Sequence, residues 1–322
     1  MSLTNIQIGD WNVIGSASGL SFPGNHYFVD NLLGSDDNSG KSWTEAKKTI
    51  FGSAGGYSLL TTNQNDVLHV LGTASAYTNS AVGTWAKDYT HLVGHTAPIY
   101  TGGRVRLTNT ITTATAGEFV ISGTGCVLKN IHYQWGASAT ATSVVGVALS
   151  GSGRNAFINC AFEGPTNATV AGGTAIRNLT ITSSQDNYFY GCSFGGDTIL
   201  SSSAAGALVS FNGTNNTRNV FEKCKFISYN STTTSAAINY VQAATATNGW
   251  NLFDDCLFHS ASGTVVADTI RYTTSYDGTT ILKACALTGG GMAVWATGAW
   301  KAVIEVINPL GAATGGLGVH PA

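Results

Sequence analysis

Asn155-Ala-Phe157-Ile-Asn-Cys160-Ala-Phe162 returns as Asn187-Tyr-Phe189-Tyr-Gly-Cys192-Ser-Phe194, as Asn219-Val-Phe221-Glu-Lys-Cys224-Lys-Phe226 and as Asn251-Leu-Phe253-Asp-Asp-Cys256-Leu-Phe258. The pattern is N-x-F-x-x-C-x-F, and its period is 32 residues. A looser copy, Thr280-Ile-Leu282-Lys-Ala-Cys285-Ala-Leu287, follows after 29 residues, and Leu128-Lys-Asn130-Ile131-His-Tyr133 precedes at the same offset. A fixed period of this length marks a solenoid, each repeat being one unit stacked on the last. Helical repeats need apolar residues at 3.6-residue spacing. Here short β-branched and aromatic runs are punctuated by Gly, Asn and Ser, so the units read as strands.

In a parallel β-helix, equivalent residues of successive coils lie about 4.8 Å apart. Phe157, Phe189, Phe221 and Phe253 then form one inward column, and Cys160, Cys192, Cys224, Cys256 and Cys285 another. The three-residue step from Phe157 to Cys160 breaks strand alternation, which places a bend at Ile158 and Asn159, with Phe157 ending one strand and Cys160 opening the next. Asn155, Asn187, Asn219 and Asn251 are expected to form an amide ladder, each donating to the next. Further strands read at 144–149, 175–182, 207–211, 236–241 and 269–273.

Composition agrees with this reading. Gly, Ser, Thr and Asn make up 134 of the 322 residues, whereas charged residues are only 10%. Hydrophobic residues at 43%, including 7 Trp, 12 Tyr and 13 Phe, suffice for a large core and argue against disorder. The fold class is therefore all-β. A formal net charge of −2 with scattered basic residues lacks the field that neutralises a phosphate backbone, which excludes nucleic acid as an expected partner. No apolar run reaches the roughly 20 residues of a membrane span, so no membrane partner is expected. Met1 to Asp10 has no secretory-signal pattern, which points to synthesis in a cytoplasm and to six free thiols.

Outside the repeat, residues 1–25 read as an irregular arm carrying Trp11, Val13 and Ile14, and residues 26–55 as a cap. Within the cap, Ser42 and Glu45 fit a capping box, which predicts one short helix from Trp43 to about Ala54 as a lid on the first coil. Residues 56–300 form the β-helix, its first coils at 66–71, 91–95 and 104–107. Residues 301–322 hold a strand and a Gly-rich tail.

The run from Tyr27-Phe-Val-Asp30 to Gly34-Ser-Asp36 and Asn38-x-Gly40, together with the coils, resembles the right-handed, single-stranded parallel β-helix proteins of tailed bacteriophage virions. These include tailspikes and trimeric tailspike-like proteins that decorate capsids. The resemblance covers residues 26 to about 290. It implies a homotrimer with the major capsid protein or another virion protein as partner, located in the virion after assembly in the host cytoplasm. Pectate lyases and polygalacturonases share the coil, so the fold alone does not set the function.

The chemistry-bearing residues favour a non-enzymatic role, with no catalytic residue, no metal and no cofactor expected. Glu222 and Lys223 sit one coil before Asp254 and Asp255, and Lys283 one coil after Asp254. This alternation reads as an exposed charge ladder, with Lys223 near Asp255, rather than as the carboxylate pair of a glycosidase. Polygalacturonases carry Gly-His-Gly and Arg-x-Lys; neither occurs here, and Gly94-His95-Thr96 departs at its third position. Asp30, Asp36, Asp37 and Asn38 lack the alternation of a calcium loop and read as a turn. Stacked inward thiols form a line, not the convergent set that zinc needs. The alternative is a small tailspike that binds or cleaves a host-surface glycan, and a cellular polysaccharide lyase is a third reading. Trp135, Trp250, Trp295 and Trp300 are placed at coil edges or beyond the repeat, where they would form an apolar assembly surface, while Trp11, Val13 and Ile14 make the contacts to the shell.

Overall fold

The computed structural model describes residues 5–8, 11–16, 19–20, 22–96, 105–112, 117–138, 144–151, 153–173, 175–203, 205–232, 234–242, 249–262, 268–272, 279–289, 296–297 and 306–307. Trp295, Trp300 and most of the tail lie outside these. Among the described residues, three parallel sheets of ten, eight and eight strands run the length of a right-handed β-helix. The first sheet holds the N-x-F strands, such as Ala156–Ile158 and Asn219–Glu222. The second holds the C-x-F strands, such as Ala161–Glu163 and Lys225–Ser228, and the third the longer strands, such as Arg177–Thr182 and Ala207–Gly213.

The register places like on like. Phe157 pairs with Phe189, Phe189 with Phe221 and Phe221 with Phe253, and their rings stack at 4.6, 4.5 and 4.8 Å. Phe162, Phe194, Phe226 and Phe258 make the second column at 5.2, 5.0 and 4.6 Å, and Phe211, Tyr240 and Tyr272 a third at 4.6 and 5.0 Å. All of these rings are buried. Offset stacking adds to the area burial of each aromatic side chain.

The bend falls one residue later than the spacing suggests. The first-sheet strand continues through Ile158, and the next opens at Ala161, so Asn159 and Cys160 make the corner. Asn159 has a φ of 51°, and the equivalent Gly191, Lys223, Asp255 and Ala284 have 62, 53, 51 and 51°. One left-handed residue per coil turns the chain, which Asn, Asp and Gly tolerate best. The five repeat cysteines stand at this corner and point inward, and they and Cys126 are free and buried. Each donates its S–H to a carbonyl of the preceding coil: Cys192 Sγ to Phe157 O and Cys256 Sγ to Phe221 O at 3.3 Å, Cys224 Sγ to Phe189 O at 3.4 Å. Burial pushes the Cys160 and Cys224 thiols well up, which keeps these two donors protonated.

The asparagines also stack. Asn187 Nδ2 donates to Asn219 Oδ1 at 2.8 Å and Asn219 Nδ2 to Asn251 Oδ1 at 3.0 Å, and the backbone N–H groups of Asn155, Asn187 and Asn219 each donate to the Oδ1 of the asparagine one coil on. Asn155 departs from the expected ladder, because its Nδ2 has no partner while its Oδ1 accepts from Cys126 N.

Four other expectations need correction. The single helix from Trp43 to Ala54 is instead a 3-10 turn at Trp43–Glu45 and a separate one-turn helix at Gly56–Leu59. Ser42 does cap Glu45 N, but Glu45 turns its carboxylate to Ser39 Oγ, and Lys47 is drawn into strand pairing with Val29. The lid is thus the segment of Ile50, Phe51, Tyr57 and Leu60, which packs on the first coil. The arm is not irregular, since Asn5–Ile8, Trp11–Ser16 and Gly19–Leu20 form antiparallel strands. The backbone of Trp11, Val13 and Ile14 lies in the second of these strands, and their side chains are outside the description. Trp135 is not an edge residue but is fully buried, because Gly146 and Gly164 leave room for its indole: a Cβ on either would lie 2.4 or 2.5 Å from the ring. Lys223 lies 3.6 Å from Glu222, its chain neighbour, and over the Tyr190 ring rather than pairing with Asp255.

Candidate functional site

The Phe162 column faces inward, so its neighbours in the second sheet face out. The register gives one outward column, His132–Ala161–Ser193–Lys225–Leu257, and a second in two pieces, Gln134–Glu163 and Gly195–Ile227–His259. Gly195 interrupts the second column. Its φ is +81°, and a Cβ there would sit 2.2 Å from Ile227 O, so only glycine fits. A Cβ on Gly196 would come within 2.9 Å of Glu163 Oε1. The two glycines thereby open a trough across the coils, made of two depressions of about 470 and 430 Å³ that share Glu163, Gly196 and Thr198. The larger adds Asp197, Lys225 and His259, and the smaller adds Thr108, Gln134 and Thr166.

Glu163 is the anchor. His132 Nε2 donates to Glu163 Oε2 at 2.6 Å from a buried position. That hydrogen bond holds the Glu163 carboxyl below its usual range, against the upward push of burial, with the His132 charge and Gln134 acting in the same downward sense. Glu163 is therefore ionised at neutral pH. A glycosidase general acid needs the opposite, a carboxyl held protonated near neutrality. As arranged, the trough can accept hydrogen bonds from hydroxyls through Glu163 and Asp197 and donate them through Lys225.

The charge ladder sits elsewhere, on the outer face of the first sheet. Glu222 accepts from Tyr188 OH at 2.7 Å, and Asp254 pairs with Lys283 at 2.7 Å. These contacts relieve the repulsion between Glu222 and Asp254, which are register partners. No cluster of His, Cys, Asp or Glu among the described residues could hold a metal ion. The Asp36 carboxylate serves the turn, accepting from Lys48 N, Thr49 N and Thr49 Oγ1.

Sequence reasoning missed the trough and a second cluster. The trough's only signal was Gly195-Gly196 following the C-x-F strand at Phe194, in place of the Glu163-Gly164 and Ile227-Ser228 of the coils on either side. The other cluster is a chain of imidazoles on the first coils: His69 Nε2 lies 2.7 Å from His26 Nδ1, and His95 Nε2 2.7 Å from His69 Nδ1. Burial, then His95 and His26, pushes His69 down to about 4, and burial puts His91 at about 4 as well.

No family model and no curated protein matches the chain. Solved structures do. A pectin methylesterase from Aspergillus niger superposes with a TM-score of 0.50 at 17% identity, over 90% of this chain and 86% of that one. A pectin methylesterase mutant in complex with a hexasaccharide gives 0.50 at 13% identity, over 86% and 82%. The likeness is one of fold. A Geobacillus virus E2 protein, ORF18, matches at 12% identity over 79% of this chain and 55% of its own length, with a TM-score of 0.41 that supports no inference.

Proposed function

We propose that the chain is a non-enzymatic structural protein of a tailed-phage virion, a homotrimer of β-helices that decorates or cements the capsid. The observation that carries this reading is the outer face of the first sheet. Its outward columns run Val127–Ala156–Tyr188–Val220–Leu252–Ile281 and, beside it, Lys129–Ile158–Tyr190–Glu222–Asp254–Lys283. The first column is apolar across six coils apart from the Tyr188 hydroxyl, which donates to Glu222 in the second column, and the second carries the few charges. A continuous apolar strip of this length on a sheet face is typical of a surface that meets a partner, and three copies around an axis would cover it on each chain. The sequence resemblance to phage β-helices supplies the location, and the sheet of residues 5–20 the attachment to the shell.

Two experiments test the reading. Leu252→Arg places a charge in the apolar column and should convert trimers to monomers while leaving the inward Phe columns intact. Deleting residues 1–25 should abolish decoration of particles by an otherwise folded chain; full occupancy without the arm would remove its assigned role.

The trough favours a second reading, that the protein holds a host-surface polysaccharide along Glu163 and Asp197. A β-helix of the same fold, the pectin methylesterase mutant, is in complex with a hexasaccharide. On this reading Glu163→Gln weakens retention of the polysaccharide, whereas neither the parent chain nor Asp254→Asn releases oligosaccharide from it. Release that depends on Glu163 or Asp254 would replace both readings with an enzyme.

A further inference from the structure

The chain passes from the strands of residues 5–20 into the solenoid through Phe22, Pro23, Gly24 and Asn25, and histidines of the first coils hold this strap. Asn25 is pinned independently of them. Its N–H and Nδ2 both donate to Asp66 Oδ1, at 2.8 and 3.0 Å, and its carbonyl accepts from Val67 N. Phe22 is held through imidazoles: its ring stacks on His91 at 3.9 Å and 20°, and its carbonyl accepts from His26 Nε2 at 3.3 Å. In the neutral chain of imidazoles that carbonyl fixes every proton. With its Nε2 donating, His26 Nδ1 accepts from His69 Nε2, and His69 Nδ1 accepts from His95 Nε2, each at 2.7 Å. His91 Nδ1 accepts from Val127 N at 3.1 Å, which leaves its proton on Nε2, 3.4 Å from Asn65 Oδ1.

A proton added to His91 goes to Nδ1 and sets N–H against the Val127 N–H, so the buried ring cannot be charged where it stands. The imidazole chain can take one proton without losing a link, and a second only by losing one. Among the described residues, the charged groups that face these rings are Asp66, which favours a charged His91, and Lys129, which opposes a charged His95. Burial outweighs Asp66 at His91. We propose that His91 and the His26–His69–His95 chain form an acid-operated clasp, which holds Phe22 to Gly24 on the first coil at neutral pH and lets that strap swing out about Asn25 when His91 takes a proton. The clasped state binds fewer protons than the released one, so its hold is complete above the ordinary His91 value of 6.5 and is lost as the pH falls toward about 4. Phe22 is half-buried and Pro23 exposed, so the strap can leave without opening the three sheets. The clasp makes the path of residues 5–20 away from the solenoid depend on pH, and it rests on neither functional reading above.

The test uses the full chain with 4-fluorophenylalanine in place of Phe22, followed by fluorine NMR, with far-UV circular dichroism reporting on the coils. At about pH 7.5 the resonance should stand apart from that of the urea-denatured chain, and by about pH 4 it should reach the denatured position while the circular dichroism is unchanged. His91→Phe keeps the stacking surface and takes no proton, so the resonance should hold its neutral-pH position down to about pH 4. His26→Leu removes the donor to Phe22 O and leaves His91 in place, so release should move about 0.5–1 pH unit toward neutrality, the equivalent of one hydrogen bond. His26 is exposed, which keeps the test decisive if His91→Phe folds poorly. A parent resonance that does not move over this range, or moves only as the circular dichroism is lost, would overturn the proposal. So would a folded His91→Phe chain that still releases, or an unchanged midpoint in His26→Leu.

Discussion

The coils from Asn155 to Phe258 and those from Tyr27 to Tyr133 solve the same packing problem with different means. In the former, the inward Phe positions of the first two sheets repeat one side chain, and the rings stack almost parallel, as with the 2° between Phe189 and Phe221. In the latter the interior is a mixture: Tyr57 meets Trp85 at 46°, Phe51 meets Phe119 at 61°, and Tyr133 stacks on Phe119 at 25°. Like on like fills space at the coil spacing by construction. Unlike side chains leave gaps, such as the half-open depression of about 650 Å³ lined by Phe51, Tyr77, Leu107 and Tyr133. Regular columns give a uniform stack, while the irregular end packs its rings at mixed angles.

Substitutions can break or sharpen this contrast. The largest effect is expected for Phe221→Ala, which removes a ring held on two sides by Phe189 and Phe253 and should cost about 3–5 kcal/mol in denaturant unfolding. Asn219→Ala comes next at roughly 2–3 kcal/mol, because the backbone N–H and Nδ2 of Asn187 both lose their acceptor. Cys224→Ala should cost about 1–2 kcal/mol, since it leaves Phe189 O without its S–H donor and a small void at the corner.

Acid should act on the irregular end first. His69 and His91 have folded values near 4 against an ordinary 6.5, so the unfolded chain takes up protons before the folded one. Their contribution is complete above about pH 6.5 and is lost as the pH falls toward 4. Hydrogen exchange over that window should show protection lost at Val67–Leu71 and His91–His95 before Asn219–Glu222; uniform loss would remove the distinction. The smallest effect is expected for Tyr133→Phe, within about 1 kcal/mol and on the stabilising side, because the hydroxyl it deletes has no partner.

The columns were legible because the repeat writes them directly: once N-x-F-x-x-C-x-F is aligned on itself, the stacking of Phe221 on Phe253 and of Asn219 on Asn251 follows from strand geometry. The corner was off by one residue because Asn159 marks the left-handed position but not on which side of it the two strands end. Trp135 was misplaced because its burial depends on Gly146 and Gly164, distant in sequence and silent as a motif. The lid helix failed for a similar reason, since a local capping signal at Ser42 gave way to pairing between Lys47 and Val29. The Glu163–His132 pair and the imidazole chain arise from cross-coil neighbours 31, 43 and 26 residues apart, separations outside the 32-residue repeat register or outside the repeat itself. Contacts that the period does not encode were the ones missed.

The apolar column from Val127 to Ile281 is the feature on which the assembly account rests, and the state of the free chain in solution tests it most directly. Sedimentation equilibrium of the purified full-length protein over a wide concentration range should give three times the mass of one chain. A single-chain mass across that range would show that the face needs no second copy and would contradict the account.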